Sequence, residues 1–243
     1  MRMPTSTLFS RLLCVATLVA ASAPALADTD FTRLNVLTQA EFKQLAGDLN
    51  AVTSYKAITP AAGLGVTGFD LGAELSFTQL NSSATWKKAG ADVSTLVMPR
   101  LHLHKGLPFN LDVGAFLVAV PDSNIKLFGA EIRYALIEGG VAVPAVAVRA
   151  AMSKLSGVSQ LDVNTQSLEL VVSKGFLMLT PYAGVGQVWG RVTPNVAGLR
   201  KESPSASKIF AGVNANFGVF NLAAEVDRTG DNQTASVKLG FRW

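Results

Sequence analysis

His102 and His104 are the only histidines in the sequence. They stand two positions apart, and on an extended strand that spacing points both imidazoles the same way. Two neighbouring imidazoles are a start on a metal site, and a histidine beside a carboxylate can move protons. A short turn over 105–108 would bring Asp112 across a hairpin towards His102 and supply that carboxylate. Against this chemistry, the pair is expected close to one end of its strand and no third ligand is specified. The single cysteine, Cys14, falls in a segment expected to be removed. The pair therefore reads as structural, and no metal, cofactor or catalytic residue is assigned.

A larger set of charged residues falls on the polar side of alternating segments with these histidines. The cations are Arg100, Arg133, Arg149, Lys208, Lys238 and Arg242; the anions are Asp70, Glu74, Asp112, Glu131, Glu169, Glu225 and Asp227. Near-balance of sign predicts mutual pairing, a charge network inside a narrow lumen, rather than the one-signed field that steers ions. Ser167 and Ser236 share the face, but nothing couples either to a histidine, so the sequence leans away from an enzyme.

The elements that must position these residues follow from patterning. Arg2 and Arg11, the apolar run Leu12–Ala21 and the small residues of Ala25-Leu26-Ala27 read as a signal peptide over 1–27. The remaining chain keeps no cysteine. The whole sequence carries a net charge of +4, and loss of the two arginines leaves too little to argue for nucleic acid. Hydrophobic residues make up 49% and charged residues only 16% of the chain, at a mean hydropathy of +0.33. That is apolar for a soluble domain, yet no later stretch is long enough for a spanning helix; Val141–Val148 is broken by Pro144. Backbone polar groups cannot stay unpaired in hydrocarbon, which leaves a closed barrel.

Its signature recurs. Phe69, Leu71, Ala73, Leu75 and Phe77 alternate with Asp70, Gly72, Glu74, Ser76 and Thr78. Leu101 and Leu103 oppose Arg100, His102 and His104, with Pro99 suggesting a bulge. Segments starting near 109, 125, 146, 167, 177, 208, 220 and 236 repeat the pattern, giving about ten strands (8 to 12). Four connectors, near 105–108, 137–140, 173–175 and 217–219, are short; of the five on the other side, near 79–93, 121–124, 153–161, 193–206 and 228–232, three are clearly longer, as expected of periplasmic turns and outer loops. An even strand number returns both termini to the periplasm.

The chain thus resembles the Gram-negative outer-membrane β-barrels, in its expected signal and from Phe69 onward within a barrel region set at 67–243, including its ending Val237-Lys238-Leu239-Gly240-Phe241-Arg242-Trp243. The resemblance implies an all-β, transmembrane, antiparallel up-and-down barrel in the outer membrane. It also implies that Leu239, Phe241 and Trp243 form a recognition signal for the barrel assembly machinery, with Trp243 standing where Phe is commoner. The resemblance names no activity.

Ahead of the wall, in 28–66, Thr38-Gln39-Ala40-Glu41 fits a capping box and Phe42, Leu45 and Leu49 recur at helical spacing. This predicts an amphipathic helix over 39–52, either entering the lumen as a plug or lying beneath the barrel. Polar Lys43, Gln44, Asp48 and Asn50 would face a charged lumen. Trp86, Lys87, Lys88, Lys154, Arg200 and Lys201 are placed on outer loops, where cations could meet lipopolysaccharide phosphates among the outer-membrane lipids. The leading expectation is a narrow, plugged barrel with a structural role or restricted passage of an unnamed small solute. The alternatives are a barrel enzyme acting on lipid or peptide and a surface adhesion module.

Overall fold

A computed structural model describes residues 31–119 and 124–243; the expected signal peptide and Cys14 lie outside them. A 3-10 turn at Leu34–Val36 leads into helix α1 (Gln39–Thr53), and a second helix, α2 (Ser83–Lys88), lies between the first two strands. The strands are β1 (Phe69–Gln79), β2 (Thr95–Leu107), β3 (Leu111–Ala119), β4 (Lys126–Ile137), β5 (Ala145–Ser156), β6 (Leu161–Ser173), β7 (Leu179–Pro194), β8 (Ser205–Phe217), β9 (Phe220–Thr229) and β10 (Asn232–Arg242). Each pairs antiparallel with its chain neighbours, and β1 pairs with β10 to close a ten-strand barrel.

The burial pattern is the reverse of a soluble protein's. Leu71, Leu101, Ile132, Leu170, Leu222 and Leu239 are exposed on the outside, while Arg100, Arg133 and Arg149 are among the largest fully buried side chains. Strands averaging about twelve residues, rising ~3.3 Å per residue and tilted ~40°, stand about 30 Å tall, enough for the ~25 Å apolar band of a bilayer-spanning barrel. No helix among the described residues is long and apolar enough to cross a membrane.

The connectors divide the barrel into a loop rim, carrying 80–94, 157–160, 195–204 and 230–231, and a turn rim, carrying 108–110, 138–144, 174–178 and 218–219; the connector expected to be long near 153–161 is only 157–160, because β5 and β6 extend to Ser156 and Leu161. Both wall ends, Phe69 and Trp243, meet at the turn rim, where Phe69 N–H donates to the Trp243 carbonyl at 2.9 Å. Three local expectations fail there or nearby. The first hairpin turns at 108–110, not 105–108, because Phe109 and Asn110 adopt positive φ (63° and 62°) and extend the ladder to Leu107 and Leu111. Pro99 makes no bulge: β2 pairs β1 without a shift through Leu75 and Pro99, and the β2–β3 ladder ends at Leu101, so the missing N–H deprives no partner. The 138–144 turn is longer than four residues, and the one register shift falls beside it, between Ala135 and Ile137.

Candidate functional site: the charged interior and the chain that runs through it

Alternation points every second wall residue inward, so the interior is assembled one residue per strand per step. Of the fifteen polar residues assigned to the lumen from sequence, all but Arg242 are buried, and Arg242 is partly so. Near the turn rim Lys238 Nζ lies 2.9 Å from both Asp70 carboxylate oxygens, with Arg242 at 3.8 Å. Register explains the next pair: Glu74 sits opposite Arg100 on β2 and accepts from its Nη1 at 2.9 Å. Arg133 and Asp112 are cross-strand partners, joined through Arg133 Nε at 3.1 Å. Arg149 and Glu169 are cross-strand partners too, and Arg149 Nε donates to Glu169 at 2.8 Å and stands 3.6 Å from Glu131. Lys208 completes this group by donating to Glu169 at 2.9 Å. Among the described residues Glu225 has no cation within salt-bridge distance, and it accepts instead from the Tyr182 hydroxyl at 2.9 Å.

The histidines join this network but not through the expected partner. His102 is opposite Phe116, whereas Asp112 is opposite Gly106, because the hairpin turns later than its sequence suggests. The His102 ring contacts Glu74, and His104 Nε2 lies 3.3 Å from Glu131 and from the Tyr55 hydroxyl. The rings stack on one another, 5.8 Å between centroids. Among the described residues no three metal-ligating side chains gather as a metal site requires.

Several members of this interior escape a reading of the wall alone. Lys56, in the segment after α1, is completely buried and its Nζ meets Asp227 at 2.7 Å. Among the described residues it adds a seventh cation to the six on the wall, against the seven wall anions and the buried Asp48 of α1. The signal was an isolated lysine in the apolar run Tyr55–Ala62, since a cation buried there needs a carboxylate. From Ala51 to Ala61 every residue is buried, and their backbone is tied to inward side chains. Arg100 donates to the Val52 carbonyl at 2.8 Å, Lys208 to the Tyr55 carbonyl at 3.1 Å and Arg133 to the Pro60 carbonyl at 2.6 Å. The run leaves at the turn rim, where Leu64 N–H donates to Asp112 at 3.2 Å. Gly106 allows the closest approach, since a Cβ there would lie 1.9 Å from the Gly65 carbonyl oxygen.

Helix α1 occupies the loop-rim half and corrects a premise. Its apolar stripe, not its polar side, faces the wall: Phe42, Leu45 and Leu49 belong to one buried cluster with Leu96, Phe116, Leu127, Leu161, Val163 and Val192. Inward positions near the loop rim are thus apolar, and the charged interior begins below them. Burying three such side chains is worth on the order of several kcal/mol. Of the polar residues, Gln44 and Asp48 serve the loop instead, Gln44 accepting from the Thr85 hydroxyl at 3.2 Å and Asp48 from the Trp86 indole at 2.9 Å and from Ser82 N–H at 3.1 Å. Thr38 and Glu41 form the capping box. The Lys88 ammonium bonded to Glu41, helped by the Thr38 N–H and hydroxyl, lowers the Glu41 pKa to about 2. Among the helix's wall contacts is Asn50 against Gly190 of β7, where a Cβ would lie 2.5 Å from the amide oxygen.

No protein-family model and no curated protein matches the chain. Among solved structures, the OmpT loop-deletion mutant of Vibrio cholerae aligns at 12% identity over 62% of this chain (TM-score 0.32), which spans about half, 55%, of that protein. Ail of Yersinia pestis aligns at 13% identity over 75% of this chain and 99% of its own (TM-score 0.33). The KdgM porin does so at 9% identity over 73% and 99% (TM-score 0.37). Likeness at this level carries no argument about ligand or activity, so the assignment stands on the closed wall, the apolar exterior and the charged interior. By that geometry the protein is a closed ten-strand antiparallel β-barrel with an apolar exterior and a charged interior, and among the described residues one α-helix precedes its first strand.

Proposed function

We propose that this protein spans the outer membrane as a closed conduit, with 39–61 as a plug whose displacement admits a small solute. The observation that carries the reading is the fully buried ion pair between Lys56 and Asp227, which ties the inner segment to the wall. A permanently filled structural barrel could do without it, because replacing a buried pair by well-packed apolar side chains is often neutral or stabilising. Retaining a polar latch is what a releasable plug requires. Balanced charge beneath the plug favours a polar or zwitterionic solute over an ion of either sign.

Lipopolysaccharide is the proposed neighbour on the outside. Lys126, Lys154, Arg191 and Arg228 are exposed near the loop rim, and Lys154, Asn164 and Arg191 lie side by side across β5, β6 and β7. Such cations suit phosphorylated headgroups. At the other end, outward Leu239 and Phe241 on β10 and Trp243 just after it are exposed and are proposed as the signal for the barrel assembly machinery.

Single-channel recording in planar bilayers tests the plug. The full-length protein should show brief, rare openings, and a variant lacking 31–56 should show large steady ones, provided that it still migrates as a folded barrel. Large steady openings in the full-length protein would end the proposal.

A further inference from the structure

The wall begins and ends at the turn rim, yet the described chain begins at the loop rim. Phe31 packs its ring on Trp86, 5.2 Å between centroids, and Arg33 N–H donates to the Ala89 carbonyl at 3.0 Å. Gln39 and Arg200 exchange two hydrogen bonds, with Arg200 N–H donating to Gln39 at 2.9 Å and Gln39 donating to the Arg200 carbonyl at 3.1 Å. Lys88 bonds Glu41. All of these partners lie on the loop-rim segments 80–94 and 195–204. The chain then passes Val52 beside Arg100, Lys56 beside Asp227 and Pro60 beside Arg133, and reaches Asp112 at Leu64. It enters β1 beside Trp243. The chain therefore threads its own closed wall from one rim to the other, and the two ends of the described chain lie on opposite sides. Even strand number placed both on the periplasmic side, but that count covers only the wall.

We infer that the segment preceding α1 is displayed on the outer surface of the cell, so that assembly carries the N-terminal end across the outer membrane while the C-terminal end stays in the periplasm. A closed ladder offers no lateral entry, so the wall must close around this segment or the segment must be drawn through. Once in place, 31–38 form part of an outer cap with α2 and 195–204. Leu34 and Leu37 anchor this cap in the same apolar cluster as Trp86, and Thr32, Asn35 and Val36 are left exposed on it.

The test uses the absence of cysteine after residue 14. Single variants Asn35→Cys on the cap, Asp231→Cys at the loop rim and Gly140→Cys at the turn rim are expressed in whole cells and exposed to a bulky, membrane-impermeant maleimide. Labelling of Asn35→Cys and Asp231→Cys should be the same before and after permeabilising the outer membrane, whereas Gly140→Cys should label only afterwards. Should Asp231→Cys label on intact cells and Asn35→Cys not, the display inference fails while the membrane-spanning reading survives. If Gly140→Cys alone labels, or none labels before permeabilisation, the display inference fails together with the orientation or the location it relies on. An epitope inserted ahead of Phe31 and probed by antibody on intact cells separates the same outcomes without touching the cap.

Discussion

Replacing Lys56 by methionine isolates the plug hypothesis in a single side chain. Methionine keeps length and apolar volume, so packing around 51–61 is preserved while the ammonium 2.7 Å from Asp227 is lost. Removing one partner of a buried pair costs about 3–5 kcal/mol, because the other charge is left uncompensated. Here the Thr229 hydroxyl still donates to Asp227 at 3.0 Å, and Lys208 lies on the adjacent strand opposite Thr229, which places the cost near the lower end, about 3 kcal/mol. That cost falls on the plugged arrangement alone if withdrawal of the segment lets water reach Asp227. A 3 kcal/mol shift is then a roughly hundredfold rise in open probability, read directly from single-channel records. Asp227→Asn should open the channel in the same direction by stranding Lys56. The double variant Lys56→Met with Asp227→Leu should return towards the parent, because neither charge remains to be stranded. A folded Lys56→Met barrel whose open probability stays within about threefold of the parent, under 1 kcal/mol, would refute the latch and leave the segment as permanent filling.

Two further outcomes separate latch from wall. Gly190→Val should push α1 off β7, since the first added carbon would already stand 2.5 Å from the Asn50 amide oxygen; openings should lengthen while the urea midpoint of the barrel barely moves. Arg149→Met should do the reverse, because it strips the guanidinium from Glu169 and Glu131 inside the wall. The expected loss is about 3–5 kcal/mol of stability in urea titration, and an unchanged midpoint would show that the interior pairs are not what holds that side of the barrel.

How far the sequence discloses this molecule follows from a period of two. Sliding a strand by two residues keeps every side chain on the same face and changes every cross-strand partner. Which residues of β1 and β2 point inward is therefore written in the alternation Asp70, Glu74, Arg100, His102, His104. Who meets whom is not: the turn at Phe109 and Asn110, with two consecutive positive φ angles, puts Phe116 opposite His102 and sends Asp112 to Arg133. Parity still assigns the faces where both are apolar, but residue type there does not disclose what the inward face meets. Alternation with Glu131 and Arg133 puts Leu127 inward and Phe128 outward on β4, as observed, but it does not show that the inward Leu127 joins Phe116, Leu161 and Val163 in an apolar collar that receives Phe42, Leu45 and Leu49. The apolar stripe of a helix shows only that it needs an apolar partner; here the collar settles which side of α1 meets the wall. That collar lies at the loop rim, and it follows that the charged network below it is reached only by chain that has already passed the helix, which is why Lys56, rather than any polar residue of α1, meets the buried carboxylate.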